Sequence, residues 1–174
     1  MERDDIEVSI RSAFAGVRLG AGVSLRQAQV IDDYGAGLSE AEFEALPRSE
    51  VTDDWTRVPE SELLRDNAAH LDAEGLRYYL PALMLWLLDH YHEDGWLTRD
   101  GVLMTTIGTI MALAPEPQFD ESMWRFYEIF TAAQRTAIAS YLDALPRLVE
   151  LDSEDAKTVA RSIDHYWAQF LPRP

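Results

Sequence analysis

The chain has 174 residues, with 47% hydrophobic and 26% charged residues, no cysteine and a formal net charge of −16. This length and composition exclude wholesale disorder and an ordinary membrane protein and lead us to expect one domain over residues 1–174, which the helical apolar spacing along the chain makes all-α. Disulfides and cysteine metal sites are excluded, which fits a reducing cytoplasmic compartment. The acidity is evenly spread, because residues 1–66 carry 15 acids against 7 bases and residues 67–174 carry 16 against 8. No Lys/Arg cluster exists to neutralise phosphates, so neither nucleic acid nor an anionic membrane is an expected partner.

In chain order, Ile6, Ile10 and Phe14 recur at four-residue intervals after an acid-rich turn and predict a first helix. Its N-terminal acids do not resemble the basic-then-apolar form of a secretory leader, so export by that route is not expected. Ser24 suits an N-cap and Gly35 a C-terminal cap for a second helix with Leu25, Ala28, Ile31 and Tyr34 on one face. Ser39 caps a short turn that Pro47 stops, and the segment after it reads as a loop carrying Trp55. Pro59 then opens a helix running toward His70, with Glu60 and Glu62 at the positive end of its dipole.

Asp72 is expected to cap the central helix. Tyr79–Leu88 is apolar all round, and at ten residues it is about half of the ~20 that a bilayer span requires. It therefore reads as buried core, with a kink or break near Pro81, where the ring removes a donor and crowds the Arg77 carbonyl. Residues 102–113 have a strand-like β-branched content, but they are long for a strand and have no second strand-like run to pair with, so they read as helix. Asp120 is expected to cap the next helix, Thr131 and Gln134 have capping-box spacing, and Ser153 precedes a stripe of Val159, Ile163, Trp167 and Phe170. Six to eight helices result.

Chemistry-bearing patterns are few. Asp89, His90, His92, Glu93 and Asp94 lie within six residues, but only ligand pairs such as His90 with Asp94 have workable helical spacing. No metal site and no cofactor is assigned on that basis. The chain has no cysteine nucleophile, no GxSxG elbow and no phosphate-cradling loop.

Two segments stand out, "DDWTRVP" at 53–59 and "LDAEGLRYYLPALM" at 71–84. They resemble a family of bacterial proteins of unknown function in which an acid-Trp element, a helix-opening proline and an "LDxEGxR[FY]YLPA" element recur. "LGAGVSLRQAQVIDDYG" and "FTAAQRTAIASYLDAL" are similar to that family's terminal portions, whereas the segment beyond residue 148 is not matched. The resemblance implies a helical single domain and marks residues, but assigns no reaction.

Read physically, Asp72 and Glu74 serve the N-terminal amides of the central helix, and Gly75 leaves room for a close neighbour. Arg77 is placed to pair with Asp53 or Asp54 and pin the Trp55 loop. Alternatively Asp53, Trp55, Glu74, Arg77 and Tyr78 line one pocket. The preferred function is a non-catalytic acidic binding protein, immunity- or inhibitor-like, that docks a basic protein partner with Trp55 as an exposed anchor. The alternative is a small hydrolase or metal-dependent enzyme built on a Trp55/Arg77 pocket or on His90 and His92.

Overall fold

Five helices begin where a short polar side chain takes the first free amides. Ser24, Ser39 and Thr131 each close a capping box, and Asp72 and Asp152 accept from amides of the turns that follow them. A computed structural model describes residues 2–35, 37–65, 68–91, 101–114 and 116–172. Among them lie nine α-helices and no strand. The helices are α1 (Arg3–Ala13), α2 (Leu25–Tyr34), α3 (Glu40–Glu44), α4 (Glu60–Leu63), α5 (Ala73–His90), α6 (Val102–Leu113), α7 (Asp120–Tyr127), α8 (Ala132–Leu148) and α9 (Ser153–His165).

Several boundaries differ from expectation for local reasons. The helix expected from Pro59 to His70 stops at Leu63, and a separate 3-10 turn covers Ala68–His70. Asp120 is the first residue of α7 and its N-cap is Phe119, while α9 is capped by Asp152, one residue before Ser153. The α9 stripe does not stay on one helix, because the chain leaves it at Tyr166 and forms a 3-10 turn, Trp167–Phe170, that drives Trp167 into the core. Tyr34 is 78% exposed and takes no part in the buried face of α2.

Two helices organise the interior. α5 packs on α6, α1 and α8, and α8 packs in turn on α1, α9 and the Trp167 turn. α5 continues through Pro81 without a break, although the proline has no amide hydrogen to offer the Arg77 carbonyl. From Tyr79 to Leu88 every residue is buried except Ala82 and Leu85, which are half-buried. No helix among the described residues is long and apolar enough to cross a membrane.

The threonines of α6 explain why a β-branched run is helical. Thr106 and Thr109 donate their hydroxyls to the carbonyls four residues back, and Thr105 donates to the Leu63 carbonyl at 3.0 Å. At the other end of α6, carbonyls with no intrahelical donor are met from elsewhere. Tyr127 donates to Ala112, and Ser162 and Trp167 both donate to Leu113. The segment beyond residue 148 thus completes the core, and Trp167 is fully buried.

Burial also sets the alkaline limit of the fold. Desolvation pushes the Tyr78 phenol up to about 12, and it raises Tyr79, Tyr127 and Tyr141 as well. The unfolded chain releases these protons from about pH 10, so between that value and the folded pKa the native state binds more protons. Their stabilising contribution is complete below pH 10 and is lost as pH rises through the folded values. Thermal melts should therefore fall steeply above pH 10, with tyrosinate absorbance rising together with loss of helix. Absorbance that rose fully while helicity stayed intact would contradict the burial of these rings.

Candidate functional site

The "LDAEG" element forms a seam with the loop before α2. The Asp72 carboxylate accepts from the Gly75 amide at 2.8 Å and from the Val23 amide at 2.9 Å, so one side chain caps α5 and holds the neighbouring loop. Gly22 and Gly75 face each other there. A Cβ on Gly22 would lie 2.6 Å from the Gly75 nitrogen, and one on Gly75 would run into the Val23 carbonyl. Glu74 is exposed in the first turn. The seam joins the start of α5 to the loop before α2 through Asp72 and the facing glycines.

The "DDW" element is placed differently from expectation. Asp54 accepts from the amide and hydroxyl of Thr56, which hold its carboxyl below the usual range, and so caps the 3-10 turn Trp55–Arg57. Trp55 is only 4% exposed, and its indole donates to the Phe14 carbonyl at 2.8 Å. It is a core residue, not an exposed anchor, because its ring fills the space between α1 and α5. Tyr78 is also buried and donates to the Val51 carbonyl, which ties the same loop to α5. Asp53 is exposed.

Arg77 forms no ion pair with either aspartate among the described residues, and its Nε is buried without a hydrogen-bond partner. The expected clamp does not form; Asp54 instead holds the Thr56 amide and hydroxyl through one carboxylate oxygen. The depression that Trp55 borders is lined by Arg11, Glu60, Leu85 and Trp86, and not by Asp53, Glu74, Arg77 or Tyr78. The structure therefore divides the expected binding residues between a loop contact and a helix cap.

His90 is held locally. It stacks on Trp86 with centroids 4.3 Å apart, its Nδ1 lies 2.7 Å from the Trp86 carbonyl and its Nε2 lies 3.6 Å from Glu60. His92, Glu93 and Asp94 lie outside the described residues, and among the described ones no group of three His, Asp or Glu is placed to hold a metal ion.

Two features were not anticipated. The first is a buried polar knot. Glu62 is 3% exposed and accepts from the Ser49 hydroxyl and, at 2.6 Å, from Tyr79, while its other oxygen lies 3.6 Å from Arg26. Ser49 and Tyr79 also lie within hydrogen-bond reach of each other. Ser49, Glu62 and Tyr79 are all buried, so the knot anchors α4 to α5.

The second is an open apolar groove of about 460 Å³. One wall is a face of α6, with Met104, Ile107, Gly108 and Met111 at helical spacing. The other comes from the start and body of α7, with Phe119, Ser122, Met123 and Phe126 repeating the same spacing. Leu71 and Leu76 form part of the floor. Met104 is 49%, Met111 44% and Phe119 51% exposed, large values for such side chains. Glu116 and Ser122 are the polar side chains of its lining, and Ser122 is engaged with the Phe119 carbonyl. The volume suits binding and the lining offers affinity for apolar groups, but no nucleophile–base pair. The available sequence signal was a charge-free α6, whose apolar residues exceed what one buried face needs.

A model of a family of unknown function (DUF6714) matches residues 2–171, and the chain belongs to that family. The match includes the segment beyond residue 148, which the sequence resemblance had left out. No curated protein and no solved structure matches the chain.

Proposed function

We propose that this family member is a non-catalytic binding protein, immunity- or inhibitor-like, which docks a basic protein partner. The observation that supports this reading is the apolar groove on a body of charge −16. Removing apolar surface from water is the main favourable term in protein association, and a uniform negative field accelerates encounter with a cationic protein. Charge alone would select no particular partner. The groove supplies the anchor that Trp55, being buried, does not.

The test is capture of partners by the tagged chain, followed by reconstitution from purified components. Association should slow markedly as added salt shortens the screening length to about 8 Å. Met104→Asp combined with Met111→Asp should weaken binding about tenfold or more with little change in melting temperature, because both side chains are half exposed. A reconstituted partner that bound parent and double variant equally, or at a rate indifferent to salt, would overturn the proposal.

A further inference from the structure

The two groove walls share one pattern. Met104, Ile107, Gly108 and Met111 stand at i, i+3, i+4 and i+7 on α6, and Phe119, Ser122, Met123 and Phe126 stand at the same intervals on the opposite side. Each is the stripe by which one helix packs against another. Their shared space is open, so two helical stripes face a third position that no element of the described residues fills. α6 carries no charged residue at all, a composition that belongs to a helix covered on every side. Gly108 lies within α6, where glycine is a poorer helix former than alanine. It lines the groove and adds no side chain to that wall.

Charge limits what can lie there. The protein's field favours a cation, and the ionisable side chain of the lining is Glu116, in the connection between α6 and α7 at one end of the groove. Met104 to Met111 spans about 10 Å of helix rise, so roughly three turns of an incoming helix, about 12 residues, would cover the stripe and its rims. Methionine walls adjust to differing apolar shapes and suit a helix surface better than a single rigid ligand.

We infer that the groove receives an amphipathic α-helix of the protein partner, with apolar residues at i, i+3 or i+4, and i+7 facing Gly108, and a Lys or Arg at the end that meets Glu116. This rests on the binding-protein reading above and adds the form of the contact.

The test uses the full chain and three labelled synthetic peptides: a basic helix with a leucine stripe at that spacing, the same composition with the stripe scrambled, and the striped peptide with glutamates replacing its lysines. Fluorescence anisotropy should show the striped basic peptide binding at least about tenfold more tightly than either control, and circular dichroism should show it gaining helix. Gly108→Leu should abolish binding while leaving the melting temperature equal or higher, since leucine fills the groove and favours helix. Glu116→Lys should weaken binding severalfold without affecting the scrambled control.

Equal binding of striped and scrambled peptides would overturn the helix, even if salt-dependent partner binding persisted. A reconstituted partner sensitive to the methionine double variant, with no striped peptide bound, would overturn it and leave the binding-protein reading standing. Self-association abolished by Gly108→Leu would make a second copy the occupant, and an extractable apolar molecule displaced by that substitution would make it a small ligand. Both results would overturn the inference.

Discussion

Trp55→Ala is expected to lower stability by about 3–5 kcal/mol, the usual cost of removing a buried tryptophan. The ring is 4% exposed, so its loss leaves a cavity that neighbours fill only in part. It also removes the indole donor from the Phe14 carbonyl, 41 residues away, which joins the end of α1 to the loop before α4. Phe14 is itself buried and lies edge-on to Phe130, with centroids 6.2 Å apart, so the disturbance reaches the region before α8. The melting temperature should fall by roughly 6–20 °C for a domain of this size. Trp55→Phe keeps most of the volume and should lose the hydrogen bond alone, about 1 kcal/mol. Urea and thermal unfolding measure both. An alanine variant that melted within a degree or two of the parent would return Trp55 to the surface and restore it as a candidate anchor.

Glu62→Ala should be comparably damaging for a different reason. Its carboxylate is the shared acceptor for Ser49 and Tyr79 and lies beside Arg26. Hydrogen bonds to a charged group contribute about 1.5–3 kcal/mol each, and removing one member of a buried polar cluster leaves the others without their partner. A loss of about 3–5 kcal/mol is expected. Glu62→Gln retains the shape but replaces one acceptor oxygen by an NH2 donor, and should lie between alanine and parent. If alanine and glutamine cost the same, the shape that glutamine keeps contributes nothing and the carboxylate's charge holds the knot together. If neither cost more than about 1 kcal/mol, the carboxylate would have to be solvated, contrary to its burial.

These two residues also show what a sequence conveys and what it conceals. Ser24, Ser39, Asp72 and Thr131 were legible as caps because the groups they satisfy lie within three residues. The buried run in α5 was legible because an apolar segment of that length admits few other placements. Trp55 was misread because acids flank it, while its partner Phe14 is distant in the chain and meets it only after folding. Glu62 looked like a solvated first-turn acid for the same reason. The groove was hidden differently: Met104, Ile107 and Met111 have the spacing of any core stripe, and only the arrangement of neighbouring helices decides whether such a stripe is covered. Arg77, read as one half of a clamp, instead has its Nε buried and pairs with neither aspartate, a placement that depends on how α5 packs and not on local spacing.

The packing of α1 against α8 has a consequence for synthesis. Ile6, Ile10 and Phe14 are fully buried in the finished fold, yet the helix they pack on begins at Ala132, roughly 120 residues later. At about 5–20 residues per second, the ribosome needs about 6–24 s to make the intervening chain. Through that interval the first helix carries an apolar stripe whose main partner does not yet exist. The N-terminal end is therefore made first and docked late, and the nascent chain is open to chaperone capture until α8 has emerged.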